Sequence, residues 1–399
     1  MNSETTATRK IAHIILDEKF IDMAYREFEA VAPGKNILVM LGRPRPLRHV
    51  RSTDIMFLSV RRARHLVQSE ECGAVVFHSL ADEMLPLIRH IPPAKKVIWL
   101  GWGYDYYGRL LAGAYPEGLL LPLSRQLLEN APRPGRVRAL ASACERWINL
   151  ALGNSVRYHS TLLRRVDYFA PVIDSEYRLA CQLNPWFRPA CASWNYGTVE
   201  SDMGGAQPTE DPLGGNILIG NSATIENNHL EIFELLLRHV DLSGRQIIVP
   251  LSYGDDWYRD RIVASGQHLF GDRFVPLTSF MDRQAYVEVL HGCGHVFMNH
   301  LRQQALGNIC IMMLKGARIY MNPLSPLYSW LTDKGGVISS VAELESAACG
   351  AKVGLMPLDE RERAINAAVV KGHWGQEIQR TRTRRLVEVA LGMDERPVQ

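Results

Sequence analysis

The chain predicts an α/β fold in two domains of similar size, and three patterns carry that prediction. Short apolar, β-branched runs alternate with segments of helical apolar spacing along nearly all of its 399 residues. Polar and ionisable residues arrive at the ends of the apolar runs, where parallel strands present functional loops. One stretch, Val199–Gly215 (VESDMGGAQPTEDPLGG), combines glycine, proline and acidic residues with few apolar ones and reads as a linker. The division is then a first domain at 1–205, a linker at 206–215, a second domain at 216–372, and a final segment 373–399 expected to pack back on the first domain. Two such halves favour a ligand cleft between them.

In the first half, Ile11–Leu16 is an apolar run fit for a buried strand and ends at Asp17. Phe20–Ala30 has helical spacing, Pro33-Gly34 breaks it, and Asn36–Leu41 supplies a second strand. Arg43–Arg51 is a loop, Ser59–Gln68 a helix, and Gly73–Phe77 a strand ending at His78. Met84–His90 is helical, and Lys96–Leu100 forms a strand running into GWGYDYY. Arg109–Trp147, interrupted by four prolines, reads as helices and loops, followed by strand Tyr168–Ala170 and helix Ser175–Gln182.

Beyond the linker the alternation restarts. Strands are expected at Asn216–Ile219, Gln246–Leu251 and Phe274–Leu277, and helices at Asn228–Val240, Asp256–Ser265 and Arg283–Leu290. Val296–Asn322 reads as one strand–helix–strand unit, its helix stopped by Gly316. Glu377–Leu391 closes the chain as an arginine-rich helix.

With 47% hydrophobic and 22% charged residues, wholesale disorder is excluded. The longest apolar runs, such as Gly118–Leu123 and Ile309–Leu314, are too short to span a bilayer, and MNSETTATRK has no apolar signal region. A cytoplasmic location is the expectation. Seven scattered cysteines without a CxxC pair point to reduced thiols rather than a disulfide framework or a zinc site. Residues 1–200 hold 26 Lys/Arg against 19 Asp/Glu, so the first half is basic and the second acidic. Arg43, Arg45, Arg48 and Arg51 crowd one loop, with Arg61, Arg62 and Arg64 on the next helix. An anionic membrane surface, an acidic substrate or a nucleic acid would each suit such a face, as would plain solvation. No recognised nucleic-acid motif interleaves with the arginines, so no nucleic-acid partner is expected.

Two loops in the second half suit an anion. The polar turn Asn299, His300, Arg302, Gln303, Gln304 feeds a helix N-terminus, whose free N–H groups and positive dipole end favour phosphate oxygens. Arg302 adds a planar charged fork. At a neighbouring strand end, Gly220 permits close backbone approach while Asn221 and Ser222 offer short donors. A helix cap at Arg302 and a plain turn at Gly220 are the alternatives. Together the two loops make a cradle for a nucleoside diphosphate, with Tyr253 at a neighbouring strand end able to stack on a base or contact a phosphate. No P-loop, GxGxxG or DxD motif occurs, so neither a metal nor a cofactor is expected, and arginine and helix dipoles would neutralise a leaving group.

In the first half, Asp17, His78 and Asp105 follow successive strands, where a general base for a sugar hydroxyl would stand. The aromatics Trp99, Trp102, Tyr104, Tyr106 and Tyr107 read either as core or as a stacking surface for sugar rings. His13, on a strand face, reads as a hydrogen-bonded structural histidine.

The motifs Ile217–Ser222 (ILIGNS) with Asn228-His229, Val249-Pro250 with Tyr253, and Arg302-Gln303-Gln304 with Gly307, Cys310 and Asn322 resemble glycosyltransferase family 56. These are the bacterial 4-acetamido-4,6-dideoxy-D-galactose (Fuc4NAc) transferases of enterobacterial common antigen assembly. Phe77-His78 and Trp102-Gly103 with Asp105 and Tyr107 extend the likeness, more thinly, into the first half. The resemblance implies a metal-independent transferase of GT-B architecture, two Rossmann-like domains facing across a cleft. It implies a dTDP-sugar as donor substrate and an undecaprenyl-diphosphate-linked saccharide as acceptor, at the inner membrane. It places the donor on Gly220, Asn221, Ser222, Arg302, Gln303 and Gln304, with Tyr253, Asn299, Gly307 and Asn322 beside them, and the acceptor and lipid headgroups on the basic half. Ala223 and Ala305 stand where the family tends to have glycine, and the loop after Asn322, PLSPLYSW, also departs from it. The rival readings are nucleotide-sugar epimerisation, transfer to protein, or a basic nucleic-acid binder.

Overall fold

The computed structural model describes residues 9–131, 156–203, 213–281, 283–347 and 351–393. Most of the linker, the proline-interrupted stretch after residue 131, and Cys144 and Cys349 lie outside the described residues. The chain divides into two compact units. One comprises Met1–Pro116, Arg133–Thr198 and Gln376–Gln399; the other comprises Glu117–Pro132 and Val199–Gly375.

The first unit is built on β1 (Lys10–Ile15), α1 (Ile21–Val31), β2 (Asn36–Leu41), β3 (Ile55–Leu58), α2 (Val60–Gln68), β4 (Cys72–His78), α3 (Leu85–Ile88) and β5 (Lys96–Leu100). Short helical turns run from Tyr104 to Ala114, and α4 (Pro122–Glu129) belongs to the second unit. Then come α5 (Val156–Leu163), β6 (Tyr168–Ala170), α6 (Asp174–Leu183) and β7 (Ala190–Cys191). The sheet is parallel throughout, in the order β3-β2-β1-β4-β5-β6-β7. Strands buried on both faces need continuous apolar runs, which is why β1 and β4 read so plainly in the sequence. The edge strands β3 and β7 were not among the expected elements: β3 is only partly buried and β7 has two residues.

The second unit contains β8 (Ile217–Ile219), α7 (His229–His239), β9 (Ile247–Pro250), α8 (Asp256–Phe270), β10 (Phe274–Leu277), α9 (Arg283–His291) and β11 (His295–Met298). It continues with α10 (Leu306–Leu314), β12 (Arg318–Met321), α11 (Pro326–Asp333), β13 (Ser339–Ser340), α12 (Val341–Ala347) and α13 (Glu360–Trp374). Its sheet is also parallel, in the order β10-β9-β8-β11-β12-β13. Gly316, at φ +88°, ends α10 as its sequence position demands, with the Ala317 N–H reaching back to the Met312 carbonyl at 2.9 Å.

α14 (Gln376–Leu391) returns to the first unit and packs on α1 and β4. Its Leu386, Val387, Val389, Ala390 and Leu391 join Ile11, Phe28, Ala74 and Val76 in one apolar cluster. The Trp194 indole N–H donates to Thr383 on this helix at 2.9 Å.

Each sheet therefore reverses its winding once, between β1 and β4 and between β8 and β11. Ligands of open parallel sheets bind outside the carboxyl ends of the strands at that point.

Candidate functional site

In the second unit, the loops leaving β8 and β11 interlock at the reversal point. Gly220 sits at φ +66°, and a Cβ there would come within 2.6 Å of both Asn227 Oδ1 and His229 Nε2, so only glycine fits. Its N–H bonds the Phe297 carbonyl at 2.9 Å, continuing the β8–β11 ladder one residue past the strand. Asn227 then organises the loop. Its amide nitrogen donates to the carbonyls of Ser222 and Thr224, and its oxygen accepts from the Asn221 N–H at 3.0 Å and from His300 Nε2 at 2.9 Å.

α7 begins without a side-chain cap from Asn227 or Asn228. Asn228 adopts φ +51°, and its side chain bridges to the Asn299 carbonyl at 3.1 Å and to the Leu121 N–H at 3.0 Å. Leu121 precedes α4, whose Ser124 bonds Glu231 on α7. These bonds explain why Glu117–Pro132 belongs with the second unit.

The polar turn from β11 completes the cradle. Gln304 Nε2 lies 3.1 Å from Asn221 Oδ1 and 3.3 Å from Thr224 Oγ1, and Asn221 Nδ2 lies 2.9 Å from the Tyr253 hydroxyl. Tyr253 is half exposed. Asn322, at the end of β12, bonds Asn299 Oδ1 at 3.0 Å. Ser222 and Gln303 are buried within this network rather than presented to solvent. Arg302 is engaged by Glu226, with Nε 2.6 Å from Oε2, so one edge of its guanidinium is occupied by a carboxylate that no motif or spacing pairs with it.

α10 begins without a side-chain cap. The residue before it, Ala305, holds φ +60°, a left-handed conformation that favours glycine. A Cβ at Gly307 in the first turn would meet nothing within 4 Å. An uncapped N-terminus with a bare first turn is an anion seat by backbone chemistry. Behind it lie two buried neutral histidines. Burial brings His229 down to about 3; burial, with Arg302 and His229 nearby, brings His300 to about 3 as well.

The three first-unit candidates are placed differently. Asp17 accepts N–H bonds from Arg48, His49 and Val50 at 2.7, 2.9 and 3.0 Å. Burial opposes its charge, but those N–H groups outweigh burial and lower its pKa. It anchors the arginine-rich loop. Asp105 is buried and held by the Trp102 and Leu80 N–H groups and the Trp99 indole. Burial raises it, and those bonds work the other way. His78 is buried between His13 and Tyr196, with ring nitrogens 2.9 Å from His13 Nδ1 and 3.0 Å from the Tyr196 hydroxyl. Trp99, Tyr106 and Tyr107 are core, while Trp102 is partly exposed and Tyr104 is half exposed. Tyr196, in the loop after the two-residue β7, carried no signal in the sequence.

A groove of about 600 Å³ in the second unit, lined by Leu123, Leu127, Leu230, Leu237 and Leu269 among others, holds none of these residues. No group of three or more His, Cys, Asp or Glu suited to a metal occurs among the described residues.

Residues 201–382 match the family model described as 4-alpha-L-fucosyltransferase, glycosyl transferase group 56. The matched stretch is similar to that glycosyltransferase family. It takes in both loops of the cradle, so the protein is a glycosyltransferase whose family signature and polar site coincide. The fold is similar to that of trehalose-6-phosphate synthase OtsA, at 10% identity and TM-score 0.59 over 96% of this chain and 99% of that one. It is also similar to alpha,alpha-trehalose 6-phosphate synthase from Burkholderia multivorans, at 8% identity and TM-score 0.58 over 98% and 99%. A third similar structure, from E. coli, is described as bound with UDP-2-fluoro glucose, at 10% identity and TM-score 0.60 over 97% and 100%. At these identities the likeness is one of fold, and it assigns the glycosyltransferase the GT-B architecture.

Proposed function

We propose that this glycosyltransferase moves a 4-acetamido-4,6-dideoxyhexose, Fuc4NAc or a close relative, from a dTDP-sugar onto an undecaprenyl-diphosphate-linked saccharide. The observation that carries the donor side is the uncapped start of α10, bare at Gly307, beside the Asn221–Gln304–Thr224 cradle. The donor diphosphate sits on the N–H groups of that first turn. In the reaction an acceptor oxygen forms a bond to sugar C1 while the C1–O bond to the β-phosphate breaks, its electron pair leaving on dTDP. The helix terminus and Arg302 stabilise the charge gathering there. No residue set for a metal is required by this account.

Support for a lipid-linked acceptor comes from the first unit's surface. Arg43, Arg45, Arg48, Arg51, Arg61, Arg62 and Arg64 are all exposed, with Met56 and Val60 exposed among them. A basic face with apolar side chains suits peripheral attachment to an anionic inner-membrane leaflet.

A thermal-unfolding screen of dTDP, UDP and their sugars tests the donor. Binding to the folded state alone raises the midpoint by mass action. A rise with dTDP-sugars that exceeds the rise with UDP-sugars is expected, and a larger rise with UDP-sugars would reassign the donor.

A further inference from the structure

Three aromatic side chains of the first unit stand together at the carboxyl ends of its strands. Phe20 follows β1, and Trp102 and Tyr104 follow β5, on either side of β4 in the sheet. The Phe20 and Trp102 ring centroids lie 5.5 Å apart at 69°, and those of Trp102 and Tyr104 lie 6.3 Å apart at 59°. Phe20 and Trp102 are partly exposed, and Tyr104 is 54% exposed. Trp99 and Phe169, on the strands themselves, are wholly buried, so these three rings are set apart from the core.

The backbone around them is built to hold them there. Buried Asp105 accepts from the Trp102 N–H at 2.8 Å through one oxygen, and from the Leu80 N–H at 3.0 Å and the Trp99 indole at 2.7 Å through the other. One carboxylate thus ties the loop after β5 to the loop after β4. Ser79, wholly buried, adopts φ +61°, a left-handed conformation that strains a serine and that glycine takes freely. What glycine lacks is the hydroxyl, and Ser79 Oγ lies 2.9 Å from the Tyr104 hydroxyl. The strained residue is kept for its bond to Tyr104.

The surroundings of the rings select the ligand. Burial raises the Tyr104 pKa, the Ser79 bond opposes this, and Asp105, Glu18 and Glu83 add to it, so the hydroxyl stays neutral. Glu18 is partly exposed and Glu83 is exposed, and neither forms an ion pair among the described residues. Carboxylates beside the rings repel an anion and suit a hydrocarbon chain poorly, but they accept from hydroxyl groups. Aromatic faces with such acceptors around them fit a pyranose, which has an apolar C–H face and hydroxyls at its edge.

These rings are continuous with the arginine loop. Asp17, three residues before Phe20, holds the Arg48, His49 and Val50 N–H groups, and Leu47 packs against the same apolar cluster as Trp102. A ligand whose diphosphate is joined directly to a sugar meets arginines with one part and rings with the other. We propose that Phe20, Trp102 and Tyr104 form a stacking site for the saccharide of the acceptor, with its diphosphate on the arginine loop. This deepens the transferase reading above and rests on it.

Isothermal titration of the full chain tests it with two kinds of probe: farnesyl diphosphate, and a panel of farnesyl-diphosphate-linked mono- and disaccharides, N-acetylated and acidic. At least one glycosylated probe should bind about tenfold or more tighter than farnesyl diphosphate. Tyr104→Leu keeps an apolar side chain without ring or hydroxyl, and should weaken that probe at least about fivefold while farnesyl diphosphate and dTDP bind as before. Ser79→Gly removes both hydroxyl and strain. It should weaken the glycosylated probe about threefold while the urea midpoint stays level or rises, which a purely structural serine would not give. Arg45→Ala combined with Arg48→Ala should weaken both kinds of probe by the same factor. A panel in which no saccharide improves on farnesyl diphosphate overturns the proposal, as does a Tyr104→Leu protein that keeps the wild-type preference. An unchanged affinity in Ser79→Gly overturns the role given to that serine. A wild type that shows the preference and loses it with Tyr104→Leu, yet transfers from no dTDP-sugar, upholds the saccharide site and overturns the donor reading instead.

Discussion

Gln304 and Asn221 meet amide to amide at 3.1 Å, joining the loops that leave β11 and β8. Neither residue is at a helix cap; the nitrogen end of the Asn221 amide donates to the half-exposed Tyr253, and the same Gln304 nitrogen also reaches Thr224 Oγ1. This contact makes the two loops a single surface, and its loss should be felt in ligand affinity before stability.

Replacing Asn221 by Ala removes bonds to both Tyr253 and Gln304. Affinity for dTDP should fall about tenfold, the ~1.4 kcal/mol of one or two hydrogen bonds. Isothermal titration checks it, and an unchanged dissociation constant would remove these loops from the donor site.

Arg302 and Glu226 oppose each other at the same seat. Arg302→Ala should weaken dTDP binding, whereas Glu226→Gln, which removes a negative charge from beside the diphosphate, should strengthen it about threefold or more. Weaker binding in both variants would mean that the ion pair is needed intact as a scaffold.

Three backbone positions separate fit from function. Gly220→Ala forces a left-handed alanine whose Cβ meets Asn227 and His229, and about 2–4 kcal/mol of stability should be lost. Gly307→Ala adds a methyl in open space and should leave urea unfolding within about 0.5 kcal/mol while reducing dTDP affinity. Ala305→Gly relieves a left-handed alanine, and a gain of about 0.5–1 kcal/mol is expected.

Acid should unfold this protein through its histidines. Burial lowers His13 and His295 to about 4, and His229 and His300 to about 3, from 6.5. Between those values the unfolded chain binds protons that the native state refuses, so stability rises with pH across the window and falls as pH drops below about 6.5. The slope is at most about 1.4 kcal/mol per pH unit for each group. Urea titrations at pH 7.5, 6 and 5 should show a steepening loss; a flat profile would mean that all four rings take up protons in the fold as they do in the unfolded chain.

The basic face makes a salt-dependent claim. Charge reversal of Arg61, Arg62 and Arg64 together should abolish sedimentation with phosphatidylglycerol vesicles, each residue being worth about 1 kcal/mol near the surface, and leave dTDP affinity intact. Equal sedimentation of both proteins would place any membrane contact elsewhere.

What could be read from the residues followed from burial and from backbone need. β1, β4, β8 and β11 announce themselves because a strand covered on both faces is apolar without interruption. Gly220 and Gly316 punctuate where a left-handed residue is required. The pairing of Asn221 with Gln304 was legible only as two loops at neighbouring strand ends. Spacing says nothing of which oxygen a side chain finds, so the Glu226 partner of Arg302 was invisible, as were the N–H groups that occupy Asp17 and Asp105. Tyr196 was hidden because its position depends on a two-residue edge strand with no periodicity of its own. Short edge strands such as β3, β7 and β13 owe their conformation to a neighbour's ladder rather than to their own residues.

The return of α14 to the first unit also bears on how the chain is made. During synthesis, residues 117–132 and 199–375 are complete before 376–391 leave the ribosome, so the second unit has every element it needs while the first still lacks a wall of its core. Until then Phe28, Ala74 and Val76 have no Leu386 or Ala390 to cover them. The nascent first unit waits on the far end of the message, and translation arrest near codon 375 would leave a finished domain tethered to an unfinished one.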